Sequence, residues 1–185
     1  MSFPPQFRGA AVLMGLLAGC GQPKSAPPPS PTGTNAPTPA RANQQYHLDH
    51  AQPKLRTLKL WLGAEEITAE LALTVTEIST GMMFRESMAE NEGMLFVFGT
   101  PHRTSFYMKN TKIPLSAAYI DPEGVITEIV DLKPLDESPV EAKSDRIQYV
   151  LEMNQGWFKR HNVGVGTLLR TEQGSLPETF FRRKP

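Results

Sequence analysis

Leu58-Lys59-Leu60-Trp61-Leu62-Gly63-Ala64-Glu65-Glu66-Ile67-Thr68-Ala69-Glu70-Leu71-Ala72-Leu73 has the period of a β-hairpin. Leu58, Leu60 and Leu62 alternate with Lys59 and Trp61, and beyond a turn at Gly63-Ala64 the alternation resumes at Ile67, Ala69, Leu71 and Leu73. Successive strand side chains point to opposite faces, so the pattern predicts two antiparallel strands with one buried face. Thr74-Val75-Thr76-Glu77 follows with the spacing of a capping box, in which Thr74 and Glu77 satisfy each other's amides and open a short helix toward Gly81. Val75, Ile78 and Met82 are expected to share its buried face.

Working outward, apolar runs at Met94 to Phe98, Phe106 to Met108, Leu115 to Ile120, Val125 to Leu132, Ile147 to Met153 and Thr167 to Thr171 read as further strands. Asp121-Pro122-Glu123-Gly124 is turn chemistry, with Pro presetting φ and Gly accepting a positive φ. A second short helix is expected from Gln155 to His161. The expected fold is mainly β: a compact barrel or rolled antiparallel sheet of about eight short strands with two short helices, an arrangement that covers both edges and apolar faces. There is no internal repeat.

This domain, expected at residues 54–172, has a different chain in front of it. Residues 1–19 carry one charge, Arg8, ahead of an apolar stretch from Gly9 to Ala18. Ten residues rise only ~15 Å as a helix, too short to span a bilayer, and read as an export signal. Leu17-Ala18-Gly19-Cys20 resembles the lipobox of bacterial lipoproteins, which implies lipidation of Cys20, the chain's one cysteine. An exported protein rarely keeps a single free thiol, and lipidation removes that exposure. Gly21, which is not an aspartate, implies by the same resemblance an outer-membrane anchor facing the periplasm in a Gram-negative cell. Residues 20–53 form a Pro-rich tether, since ten of the 17 prolines lie in residues 1–53 and large apolar residues are scarce. Residues 173–185, ending in Arg182-Arg183-Lys184, are expected to be a flexible basic tail.

Arg8, Lys24 and Arg41 lie ahead of the domain with only Asp49 as an acid, so the domain stays close to neutral. That balance lacks the basic footprint of a nucleic-acid binder. The expected partners are the membrane, through Cys20, and a small ligand or envelope protein. No cofactor is implied. His47 and His50 lack a third metal ligand, and the neighbours Met82 and Met83 diverge on any regular element, so no metal site is expected.

The densest block holds Gly81-Met82-Met83-Phe84-Arg85, Gly93-Met94-Leu95-Phe96-Val97-Phe98 and Ser105-Phe106-Tyr107-Met108-Lys109-Asn110-Thr111-Lys112-Ile113-Pro114-Leu115. With Tyr149-Val150-Leu151-Glu152 and Gly164-Val165-Gly166, it resembles the domain-of-unknown-function 192 family over roughly Leu55 to Leu169. The resemblance implies a small, mainly-β, often exported domain and assigns it no activity. This chain departs from the family pattern at Ser116 and Thr167, where acidic residues are expected.

The five methionines from Met82 to Met108, beside Phe84, Phe96, Phe98 and Phe106, read chiefly as core, with an apolar groove as the alternative. Candidate ligand contacts are Arg85, Lys109, Asn110 and Thr111, offering hydrogen bonds to an anionic or polyhydroxyl group. Pro114 fixes Ile113 as extended and so defines this loop. Glu152 is opposite in phase to Leu151, and reads either as an outward residue paired with a cation or as a buried acid–base carboxyl; Asp121 is its possible catalytic partner. No nucleophile elbow, zinc-binding helix motif or phosphate loop is present, and His102 and His161 stand apart. A binding module therefore ranks above a hydrolase or lyase acting on envelope carbohydrate through carboxylates.

Overall fold

A computed structural model describes residues 45–182. The export signal, Cys20 and most of the tether lie outside the described residues. In chain order the elements are β1 (Thr57–Leu62), β2 (Glu65–Ala72), α1 (Val75–Thr80), β3 (Glu92–His102), β4 (Ser105–Phe106), β5 (Leu115–Ile120), β6 (Ile126–Leu132), β7 (Val140–Glu141), β8 (Ile147–Asn154), α2 (Trp157–Arg160), β9 (Leu169–Thr171), β10 (Gly174–Ser175) and α3 (Leu176–Phe180).

Eight strands form one sheet in the order β10-β9-β1-β2-β3-β8-β5-β6, and β4 pairs with β7 in a second, two-stranded sheet. The quoted hairpin forms in the expected register, Leu60 opposite Ile67 and Leu62 opposite Glu65. The capping box also forms: Thr74 Oγ1 accepts from the Glu77 amide, and the Glu77 carboxylate accepts from the Thr74 amide at 2.8 Å. One pairing departs from the antiparallel expectation. β2 and β3 run parallel, Ala69 opposite Gly93 and Leu71 opposite Leu95, because the chain crosses over through α1 instead of turning back.

The sheet rolls without closing. At one end the residue before β6 meets the residue before β9, the strand next to the opposite edge, in an isolated bridge between Val125 and Leu168, and the Ile126 amide donates to the Thr167 carbonyl at 2.9 Å. Leu58, Leu60, Ile67, Leu71, Leu95, Leu151, Trp157 and Leu169 fill the inside of the roll. The outer face of its middle strands carries a second core, in which Met94, Phe96, Leu115, Ala117, Tyr119 and Val150 lie under Met82, Met108 and Ile113 from the connecting loops. Both faces of β5 and β8 are thus buried, which is why these strands read as nearly unbroken apolar runs. Full burial of such side chains contributes about 1.5–3 kcal/mol each. Packing is tightest at Gly93, where a Cβ would lie 2.5 Å from Met153 Sδ and 2.7 Å from the Glu152 carbonyl oxygen.

Other differences concern the ends of elements. Val75 is 63% exposed, so the buried side of α1 comes from its far end, Thr80, and from Met82 beyond it. The folded unit begins before residue 54: Gln52 is buried and its amide nitrogen donates to the Gly81 carbonyl at 2.8 Å. It also continues past 172. Residues 174–180, expected within a flexible tail, form β10 and α3, whose Leu176 is fully buried. Ser175 and Glu178 build a second capping box there.

Candidate ligand pocket

The alternation on β8 turns Leu151 into the roll and Glu152 onto the outer face, between Met94 of β3 and Ala117 of β5. That face is not solvent but the second core. Glu152 is 4% exposed and makes no hydrogen bond or ion pair with any described residue. Burial alone pushes its carboxyl up to about 8, because nothing nearby compensates the charged form.

Above Glu152 the covering loops leave a cavity of about 200 Å³. One wall is the end of α1 and the turn after it, Ile78 to Met83, and the other is Thr104 to Tyr107 with Thr111; Phe96 and Phe98 complete the lining. Gly81 makes this turn possible. Its φ of 47° and ψ of −129° suit glycine, and a Cβ would press on the Phe96 ring at 3.3 Å. Phe96 and Phe106 meet edge to face at 4.9 Å, which fixes two of the rings. The lining therefore mixes aromatic and thioether surface with the hydroxyls of Thr80, Thr104, Ser105 and Thr111 and one carboxyl.

The loop that brings Thr111 to the cavity is held by unusual backbone. Phe84, Asn110 and Leu135 all adopt left-handed φ values, 63°, 55° and 60°. The Phe84 amide donates to the Asn110 carbonyl at 2.8 Å, and the Leu135 amide donates to the Thr111 carbonyl at 3.1 Å. Three non-glycine residues in a costly conformation thus converge on one loop, a concentration typical of ligand sites.

Of the residues expected to contact a ligand, Thr111 and Glu152 line the cavity and Arg85, Lys109, Asn110 and Asp121 do not. Arg85 faces Glu70 instead, with Nη1 on Oε1 at 2.8 Å and Nη2 on Oε2 at 2.9 Å, both side chains largely buried. Asn110 shapes the loop through its backbone, by its left-handed φ and by the carbonyl that accepts from the Phe84 amide. Asp121 accepts from the Val125 amide at 2.8 Å and caps the turn after β5. Since Glu152 pairs with Ala117, four residues before Asp121, their backbones stand roughly 13 Å apart at strand rise, and Asp121 does not line the cavity, so the structure does not bring the two together as a glycosidase pair. Glu152 itself differs from the preferred expectation of an outward carboxylate paired with a cation. Its phase was legible, but the loops covering that face were not.

The two departures from the family pattern have local roles. Ser116 donates to Asp131 on the adjacent strand and accepts from the Gly156 amide at 2.8 Å. Thr167 Oγ1 accepts from the Gly164 amide at 3.3 Å. His161 lies outside the cavity, stacked on Trp157 and placed between Glu65 at 2.9 Å and Glu90 at 3.5 Å. Among the described residues no group of three or more His, Cys, Asp or Glu side chains is arranged to hold a metal.

A rolled β-sheet with a loop-covered outer core defines the class, and residues 59–171 match the profile of the DUF192 family, described as uncharacterized ACR. The chain belongs to that family. It is similar to the solved structure of a "putative transcription regulator" from Sinorhizobium meliloti 1021, with 31% identity and a TM-score of 0.62 over 65% of this chain and 98% of that one. It is also similar to a protein of unknown function from Novosphingobium aromaticivorans DSM 12444, with 30% identity and a TM-score of 0.59 over 63% and 86% of the respective chains. No curated protein matches it.

Proposed function

We propose that this chain is a ligand-binding module of the cell envelope, anchored to a membrane through lipid on Cys20 and carrying the cavity above Glu152 on its Pro-rich tether. The carrying observation is the unpartnered, buried carboxyl lining that cavity. A buried ionisable group without a partner is costly, and a cavity beside it offers a place for the partner to come from outside the protein. The loops around it concentrate backbone strain in the same place.

Transfer of a regulatory role on nucleic acid from the Sinorhizobium relative finds little support in this chain. The domain is close to neutral, and the longest helix among the described residues has six residues. The binding reading is tested by thermal-shift measurement of the purified chain against a broad metabolite panel, with crosslinking in cell envelopes beside it. At least one compound should raise the melting temperature, with the shift lost on filling the cavity by Thr111→Phe. No shift across the panel and no crosslinked envelope protein would remove the reading.

A further inference from the structure

We propose that the cavity takes a small organic cation, an ammonium group on a compact apolar body, with Glu152 as its counter-ion. This rests on the reading of the cavity as a ligand site and adds the class of ligand.

Charge carries the inference first. No lysine, arginine or histidine lines the cavity, and Tyr107 is its other titratable residue. On the same face Tyr119 of β5 donates its hydroxyl to the Val140 carbonyl at 2.6 Å, and the nearby guanidinium of Arg85 is held by both oxygens of Glu70. An anion entering here would find no cationic side chain in the lining to hold it and would keep the Glu152 carboxyl in its neutral form. A cation supplies the charge that Glu152 lacks.

The walls agree with the charge. Phe96, Phe98, Phe106 and Tyr107 line the cavity, and aromatic rings attract cations most strongly where water is excluded. Met82 and Met83 add polarizable surface suited to methyl or methylene groups. At about 200 Å³ the space suits a small molecule, not a polymer segment.

Proton balance follows from the same geometry. Below pH 8 the empty site holds Glu152 protonated, and an arriving cation favours its ionised form, so the proton leaves to solvent as the ion pair forms. Calorimetric titration of the purified full chain with choline, and with its uncharged carbon isostere 3,3-dimethylbutan-1-ol, tests this. Choline should bind at least tenfold more tightly than the isostere. Its affinity should climb toward tenfold per pH unit below pH 8 and level above it, with close to one proton released per ligand in buffers of differing ionisation enthalpy.

Glu152→Gln should abolish the proton release and cut the preference down to what the aromatic walls supply. Phe98→Leu, which keeps the carboxyl, should weaken choline binding more than isostere binding. Equal binding of both probes, unaffected by Glu152→Gln, would overturn the cation while leaving the cavity a ligand site. Silence of choline while other compounds of the metabolite panel shift the melting temperature would do the same. Silence of every compound would overturn both.

Discussion

Glu70 and Glu152 stand in one row across the outer face of the sheet with Met94 between them, and only Glu70 meets a guanidinium. Two strand spacings separate their backbones, about 10 Å. Both carboxyls are largely buried, so the contrast isolates the effect of a partner: bidentate contact with Arg85 for one, the mixed lining of the cavity for the other.

Arg85→Met should destabilise the domain by about 3–5 kcal/mol, since it leaves Glu70 buried without its cation. The double variant Arg85→Met, Glu70→Gln should recover most of this, because glutamine still accepts from the Leu55 amide that Glu70 now holds at 2.7 Å. Urea unfolding of the four members of the cycle measures it. Additive losses would show that the two side chains are not coupled.

Stability should fall as pH rises from the ordinary glutamate range to about 8, where Glu152 titrates in the folded state. Over that window the folded chain holds a proton that the unfolded chain has released. The unfolding free energy therefore declines with a slope approaching about 1.4 kcal/mol per pH unit from this group. Glu152→Gln should flatten the decline and raise the melting temperature above pH 8. A wild-type curve that is level from pH 5 to 8, with the variant parallel to it, would contradict the unpaired carboxyl.

Gly93→Ala should cost more than Gly81→Ala. At Gly93 the new methyl collides with strand backbone, the Glu152 carbonyl, which cannot yield without breaking β3 from β8. At Gly81 the contact is with the Phe96 ring, and the left-handed φ adds about 1–3 kcal/mol of strain. Denaturation midpoints order the two.

Cys20→Ser should abolish incorporation of labelled palmitate and leave the chain either unprocessed or free of the membrane fraction. Unchanged fractionation with unchanged mature mass would dispose of the lipid anchor.

The hairpin, the first capping box and the turn at Asp121 were readable because each depends on residues a few positions apart. α3, which fell within the expected flexible tail, carries a signal of the same kind in Ser175, Pro177 and Glu178, the signature of a capping box with proline in the first turn. The parallel pairing of β2 with β3 was not, because hydrophobic alternation gives a strand its faces but not its neighbour. The cavity was legible only in part. Glu152 and Thr111 stood out singly, whereas Thr80 and Thr104 acquire meaning only when α1 and the loop after β3 are folded onto the same face. The methionines read as core serve partly as core and partly as wall: Met94 is fully buried in the sheet, and Met82 and Met83 line the cavity.

The bridge between Val125 and Leu168 has a consequence for self-association. One terminal strand of the sheet, β10, is two residues long and leads directly into α3, while the other, β6, is pinned at its start by the strand from the opposite end. What is left of β6 carries Glu128 and Asp131, and Glu128 also accepts from the Lys143 amide. Neither margin offers a long, uncharged row of free amides and carbonyls to a second copy. Copies brought side by side at high local density would thus lack the template for strand-to-strand aggregation.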